Sequence, residues 1–535
     1  MLGLSPKSIG KGLRASRLPR GSGLMRISRF IIQASVIAFM SLTGAAHAES
    51  VIRVGITEDA LTMDPANHRR RQTETILRNM YDGLLTRTPR MEVVPELATE
   101  VTPLTRLTYL INLNEGVKFH SGEEMTAEDV KFTLERLGVE GAMNGETSPR
   151  KSLLPVIKNI EITGRYSLKI TLEEPWPNFP AMLPLQQVVS KSFVEGKSLS
   201  ELQSLENGTG PFRLVEWVPG DIIKMERFPD YYGGASSLLP VGPACVERVE
   251  FKVLPDNEER VAALLAGEVD IIDQLPVEDV DEVSKSELAR VMKVAGTRTF
   301  FIYLNNKKPP FDDLRVRQAM NHAIDRDAII SEILSGNAVK VNGVLGPDAF
   351  SFNNNLPAYA YDPALARQLL AEAGYPDGIS VEFDSLTALG STAGMIVDML
   401  GEVGIEARLS SGSYKDLSKK WRDGNGDVGD MWLSSWGNSS LDPVGIFVPT
   451  LATGQRGNFA FYSNSEVDAL LSAGGSELNR TERAEKYRTA QAIVNQEAPW
   501  VFLWVPEELY GVSKRIIGWR PSPDSRINLH DACVR

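Results

Sequence analysis

The sequence predicts an α/β fold of two lobes, and three observations carry that prediction. The first is the stretch Thr299 to Ile330, TFFIYLNNKKPPFDDLRVRQAMNHAIDRDAII, which reads as a strand, a proline stop and two helices. Phe301, Tyr303 and Asn305 fall on one face of the strand and Phe300, Ile302 and Leu304 on the other, because side chains alternate along extended backbone. Pro309 and Pro310 break the ladder. Asp312 or Asp313 caps a helix whose buried face is Val316, Ala319, Met320, Ala323 and Ile324, and Asp325 caps a second with Ile329, Ile330, Ile333 and Leu334 inward. A strand that leaves one sheet and opens a new helical layer reads as a crossing between lobes. The second observation is the alternation of strand and helix patterns on both sides of it. The third is size: 535 residues, 42% hydrophobic and 24% charged, a globular composition long enough for two or three cores.

In chain order, Arg26 and Arg29 precede an apolar run from Phe30 to Met40, and Ala46-His47-Ala48 places small residues where a signal peptidase reads. Residues 1–48 are therefore expected to be a cleaved secretory signal, with Met25 an alternative start. The run is too short for a membrane-spanning helix. Glu49 rather than Cys follows the cut, so no lipid is expected, and the mature protein is read as soluble and periplasmic. Formal net charge is −12, and residues 1–48 hold seven Lys or Arg and no acid, so the remainder carries about −19. That balance argues against a nucleic-acid partner, which needs a basic face.

Val51 to Ile56 reads as a strand, Leu61-Thr62-Met63-Asp64-Pro65 as a loop and Thr75 to Leu85 as a helix. Leu107, Tyr109, Ile111 and Leu113 alternate as a half-buried strand. Thr126 and Asp129 form a capping box for a helix carrying Val130, Leu134 and Leu137. Tyr166, Leu168, Ile170 and Leu172 make another strand, and Pro175, Pro177, Pro180 and Pro184 a rigid loop around Trp176 and Phe179. Pro219-Gly220 signals a hairpin. Val249, Phe251 and Val253, the helix Glu258 to Leu265 and the strand Val269 to Ile272 give a βαβ-like pattern. Helices follow at Pro363 to Ala373, Ala393 to Val403 and Glu482 to Glu497, and Ala498-Pro499-Trp500 begins the return to the first lobe.

Three stretches resemble the family 5 solute-binding proteins of ABC transporters, which include dipeptide, oligopeptide, nickel and opine receptors. They are Thr299 to Ile330, the block EGVKFHSGEEMTAEDVKFTLERL from Glu115 to Leu137, and GTGPF at Gly208 to Phe212. The resemblance covers almost all of the chain after residue 50. It implies a type II periplasmic binding protein fold with the extra domain of the peptide-binding class. Residues 49–88, 207–298 and 498–535 would form the core of the first lobe, 89–206 its extra domain and 299–497 the second lobe. It also implies capture of a peptide, opine, sugar conjugate or similar small polar solute between the lobes, with delivery by a monomer to an inner-membrane ABC permease.

The candidate ligand-binding residues are Met63, Arg70, Arg71, Trp432, Trp436, Gly437, Asn438 and Asp442. The resemblance places the loop containing Met63 along the cleft. His68-Arg69-Arg70-Arg71 reads either as a solvated basic turn or as an anion clamp, since arginine presents a planar fork to carboxylate or phosphate. Trp432, Ser434 and Trp436 share one face of a strand whose end would offer an aromatic wall and free backbone groups. In peptide-binding relatives an Asp just after the matching Trp takes the ligand's amino group; here Asn438 or Ser439 stands there, which weakens an ordinary dipeptide reading. Asp442 would stand in if the loop is shifted, or else serves as a turn residue before Pro443. Together with Arg69 to Arg71, the missing Asp points to a solute with at least one acidic group. Cys245 and Cys533 are either a disulfide, as an oxidising compartment permits, or two buried thiols.

Other chemistry finds little support. Asp423, Asn425 and Asp427 start like a calcium loop, but Val428 replaces the glycine and Ser434 the final glutamate. Gly196-Lys197-Ser198 resembles the end of a phosphate loop, with Lys191 where the first glycine belongs. His68, His120, His322 and His530 make no HExxH pair, no cysteine cluster exists, and no G-x-S-x-G elbow occurs. No cofactor or metal is expected. The alternative to a transport receptor is an exported hydrolase or chaperone on the same scaffold.

Overall fold

The structure is a computed structural model that describes residues 50–238 and 241–535. The secretory-signal reading and the choice of Met1 or Met25 as start lie outside those residues.

The 14-residue strand Trp500–Ser513 is shared by both halves of the main sheet. Its first half pairs antiparallel with Arg298–Leu304, setting Phe502 opposite Phe301 and Trp500 opposite Tyr303. Its second half pairs with Ala289–Ala295 and with Ile271–Ile272. To one side the sheet continues through Met431–Gly437, Ile379–Leu386 and Ile405–Gly412; to the other through Val51–Ile56, Arg248–Val253, Ile222–Arg227 and Phe212–Val218. A separate four-stranded antiparallel sheet is built from Ala98–Pro103, Thr108–Leu113, Ser167–Leu172 and Ile157–Gly164. The result is a mixed α/β, two-lobed architecture.

Hydrophobic burial follows the same division. Ile52, Val54, Ile223, Phe251, Ile271 and Val512 share one core, and Tyr109, Ile111, Val130, Leu168 and Phe179 another around the four-stranded sheet. Beyond the crossing, the strand Arg298–Leu304 separates two more. Ile302 and Leu304 pack with Val316, Met320, Ile396 and Leu503 on one face; Phe301 and Tyr303 pack with Trp421, Trp432, Trp500 and Phe502 on the other. The alternation in TFFIYL thus partitions as the pleat dictates. Trp500 to Val505 is buried at every position because both of its faces are covered, and so it reads as a continuous apolar run.

Local signals also hold. Thr126 and Asp129 make the capping box of the helix Ala127–Gly138. Asp313 accepts from the Arg315 amide and Asp325 from the Ala328 amide at their helix starts.

One helix boundary differs from the sequence reading. The helix expected over Thr75 to Leu85 runs Arg71–Leu77. It stops because the following backbone is recruited elsewhere: the Met80 carbonyl accepts from the Gly210 amide at 2.9 Å and the Asn79 carbonyl from the Phe212 amide at 3.1 Å. A Cβ at Gly208 or Gly210 would collide with the Met80 carbonyl, which explains both glycines of GTGPF. Along the strand Trp500–Ser513, Val501, Leu503 and Trp504 share the core of Ile302 and Leu304, and farther on the Pro506 carbonyl accepts from the Gly296 amide at 2.9 Å.

Two further ties bear on the site. Cys245 and Cys533 are joined as a disulfide with Cα atoms 5.3 Å apart, linking two points 288 residues apart in sequence. Met91, at a left-handed φ of 62°, sits at the tip of the hairpin formed by Leu85–Arg87 and Val93–Pro95 and is buried with Trp432, Leu441 and Phe447 of the second lobe.

Candidate functional site

The strand Met431–Gly437 is buried up to Ser434 and opens from Ser435 onward. Pairing with Arg298–Leu304 puts Gly437 opposite Arg298, so this arginine lies at the open end of both strands. The Arg298 guanidinium donates to Ser435 Oγ at 3.1 Å. A Cβ at Gly437 would press on Arg298 Nη2 at 3.0 Å, so glycine here gives the guanidinium room. Arg298, Ser435, Trp436 and Gly437 line a cavity of about 430 Å³ with Tyr414 and Leu386. The Trp436 indole N–H donates to the Gly445 carbonyl at 2.9 Å, which fixes the ring as one wall.

A second cavity, of about 230 Å³, shares Arg298 and Gly437 with the first. Its walls carry the guanidiniums of Arg69, Arg70, Arg71, Arg150, Arg298 and Arg526 against the carboxylates of Glu74 and Asp524. Some of these charges are spent. Arg150 is buried and pairs with Glu74 at 2.8 Å. Burial alone would raise the Glu74 pKa, but Arg150, then Arg526, His68 and Arg78, outweigh it and bring it to about 2. Arg526 pairs with Asp524 at 3.0 Å. The others are less fully engaged: Arg69 donates to Ser152 Oγ, Arg71 donates to Ser525 Oγ at 2.6 Å and pairs with Glu508 at 3.4 Å, and Arg70 sits 3.8 Å from Glu58 with both side chains mostly exposed. Among the described residues no carboxylate forms an ion pair with Arg298. Crowding by protein, then the nearby Arg71 charge, lowers its pKa, although the side chain still meets solvent through the cleft. The region therefore holds an excess of positive charge inside a chain whose net charge is negative.

Arg87 ties the two sides of the cleft. It donates to the Ser439 carbonyl at 2.6 Å and to the Ala181 carbonyl at 2.7 Å.

The structure brings together four of the eight predicted residues: Arg70, Arg71, Trp436 and Gly437. The other four lie elsewhere. Met63 is fully buried in the first lobe's core, where its carbonyl accepts from the Tyr81 hydroxyl at 3.1 Å. Trp432 is fully buried among Tyr303, Trp421 and Phe459, two pleat repeats before Trp436 and sealed from the cleft. Asn438 is buried and its Oδ1 accepts from Ser440 Oγ at 3.1 Å within its own loop. Asp442 is committed to Arg483, both guanidinium nitrogens donating to it at 2.7 Å, and it caps the Val444 amide. An interior ion pair leaves no free carboxylate for a ligand amine. Sequence reasoning missed Arg298, Arg150, Arg526 and Tyr414. Arg298 carries a signal in retrospect, a lone charge directly before an apolar strand.

Neither cavity is lined by a histidine or a cysteine. Among the described residues no group of three or more His, Cys, Asp or Glu is placed to hold a metal, and no helix is long and apolar enough to cross a membrane.

The chain is similar in sequence and structure to several known proteins. The chain is 30% identical over 527 residues to the glutathione-binding protein GsiB of Pectobacterium atrosepticum, covering 94% of this chain and 98% of that protein. It is 28% identical over 445 residues to heme-binding protein A of Haemophilus influenzae, covering 78% of this chain and 79% of that one. The structure of HbpA2 from Haemophilus parasuis matches with a TM-score of 0.82 at 24% identity, over 91% of this chain and all of that one. The ABC transporter-associated periplasmic binding protein DppA of Helicobacter pylori, solved with the peptide STSA, matches with a TM-score of 0.73 at 25% identity, over 91% and 98% of the two chains. Residues 92–458 match the profile described as bacterial extracellular solute-binding proteins, family 5 middle. The chain belongs to the bacterial extracellular solute-binding proteins of family 5.

Proposed function

We propose that this protein captures an acidic, peptide-like solute, glutathione or a small peptide with more than one carboxylate, in the cleft between its lobes. It then delivers that solute to an inner-membrane ABC permease. One observation carries the reading: Arg69 to Arg71 of the first lobe and Arg298, the last residue before the second, converge on one cavity whose lining also includes Gly437 and Ser439 of the second lobe, with few carboxylates to balance the charge. A solute carboxylate would accept from these guanidiniums while the rest of the solute meets Gly437 and Ser439 across the cavity, so its contacts exist in full only when the lobes are shut. A ligand shifts such an equilibrium by no more than its difference in affinity for the two states. Trp436 and Tyr414 supply aromatic surface against which the rest of the solute packs. The relatives named for glutathione and for peptides support the choice of solute class. We further assign residues 1–48 to a cleaved export signal, the mature protein to the periplasm, and the boundaries 49–88, 207–298 and 498–535, 89–206 and 299–497 to the domains, with the return strand's first residues moved to the second lobe. The separate hydrophobic cores support that division. A hydrolase is not favoured, since the cavities offer no nucleophile paired with a histidine.

Isothermal titration of glutathione and a small peptide panel against wild type and Arg298→Ala tests the reading, with solute breakdown followed in parallel. Hydrogen bonds to charged groups contribute about 1.5–3 kcal/mol net, so the variant should lose at least about tenfold in affinity. Unchanged affinity, or turnover of the bound solute, would overturn it.

A further inference from the structure

We infer that the arginine-lined cleft continues into a second anion pocket, and that the solute therefore carries two acidic groups held apart, one in each compartment. This rests on the reading of an acidic solute. Behind Asp524 and Arg526, which line both spaces, lies a further cavity of about 310 Å³ between the hairpin around Arg87 and the C-terminal segment from Gly518 to Asp531. Its walls hold Arg78, Arg87, Arg520 and Arg526.

These guanidiniums are unequally engaged. Arg78 is used by the protein, donating to Thr86 Oγ at 2.7 Å and the Pro184 carbonyl at 2.9 Å. Arg87 spends its two terminal nitrogens on Ser439 and Ala181, but its buried Nε has no hydrogen-bond partner. A buried donor left unmade is costly, so the site is incomplete without an acceptor. Arg520 is exposed and has no hydrogen bond or ion pair to any described residue. The carboxylate opposing them inside the cavity is mostly cancelled: Asp524 is buried and paired with Arg526. Asp531 is pushed by burial to about 7, so it is partly protonated at neutral pH.

An acceptor of two or three hydrogen bonds with a negative charge, a carboxylate, satisfies Arg87 and Arg520 together. A monoacid would fill only one compartment and leave the other hydrated. A dicarboxylic peptide bridges both, and the Asp524–Arg526 pair then forms the floor beneath its middle.

The experiment uses glutathione and its two mono-amides, each lacking one carboxylate, titrated into the full-length mature protein. Wild type, Arg520→Gln, Asn528→Asp and Arg298→Ala are compared; Arg520 and Asn528 are exposed and line only the inner cavity, so both variants should fold. Arg520→Gln should weaken glutathione about tenfold, and Asn528→Asp, which adds a like charge, by at least as much. One mono-amide should be insensitive to Arg520→Gln and the other insensitive to Arg298→Ala. If Arg520→Gln leaves glutathione binding unchanged, or if both mono-amides respond to it as glutathione does, the inner pocket is wrong while the outer clamp stands. If Arg298→Ala is silent, the outer clamp fails instead. No binding of any of the three to wild type overturns both.

Discussion

Asp442→Asn is the sharpest test of whether this carboxylate serves the fold or the solute. Asp442 and Arg483 retain only 7% and 8% of their side-chain exposure and meet at 2.7 Å through both guanidinium nitrogens. Arg483 also donates to the Gly474 carbonyl at 2.9 Å and lies over the Phe350 and Tyr487 rings. Removing one partner of a buried pair usually costs about 3–5 kcal/mol, because the remaining charge stays buried without compensation. Asparagine keeps one oxygen for Arg483 and for the Val444 cap, so the expected loss is near the low end, about 3 kcal/mol. Guanidinium unfolding followed by tryptophan fluorescence reads it, since Trp432 and Trp436 lie in the strand leading into this loop. The double replacement Asp442→Leu with Arg483→Met should recover most of the loss, as apolar substitutes for buried pairs often do. A loss within about 0.5 kcal/mol of zero, accompanied by loss of solute binding, would refute the structural role and return Asp442 to the ligand.

Three further predictions follow from the same coordinates. His68 is buried, and burial, with Arg150 adding to it against the opposing pull of Glu74, lowers its pKa from about 6.5 to about 4. The unfolded chain then takes up a proton that the folded chain refuses, so stability present above pH 6.5 is lost as pH falls toward 4. The loss is at most about 3 kcal/mol at 1.36 kcal/mol per pKa unit; His68→Gln should flatten that part of a pH–melting curve, and an unchanged slope would count against it. Replacing Cys245 and Cys533 by alanine opens a 288-residue loop and should cost up to about 6 kcal/mol on the chain-entropy account, read as a drop in melting temperature. Met91→Ala empties a place in the second lobe's aromatic core; amide exchange should quicken across Leu85 to Pro95 and stay unchanged in the four-stranded sheet.

How far the sequence was legible depends on the range of the interaction. Periodicity placed the strand Arg298–Leu304 and divided its side chains correctly between two cores, because a pleat is a local rule. It put Trp432 and Trp436 on one face, which is right, but four residues along a strand separate a sealed core from an open cleft, and no local pattern reports depth. Asp442 looked available because its partner is 41 residues away on a helix whose packing the sequence does not declare. Arg298 became visible only once register set it against Gly437. The run Trp500 to Val505 would look the same in either lobe, being apolar on both faces, so no local pattern assigns it to one of them. The basic cluster at Arg69 to Arg71 was readable as a solvated turn or an anion clamp, but its meeting on one cavity with Arg298, 227 residues beyond Arg71, was not.

The two passages between the lobes are hydrogen-bonded to one another rather than running as separate tethers: Ala295 pairs with Glu507, and the Gly296 amide donates to the Pro506 carbonyl. A laced ribbon of this kind resists shear and stretch, since either would rupture its rungs, yet bends readily across its flat side. A swing about a common line is the relative motion such a ribbon permits most easily. Little configurational freedom remains to be quenched when a guest arrives, so more of its contact energy survives as affinity.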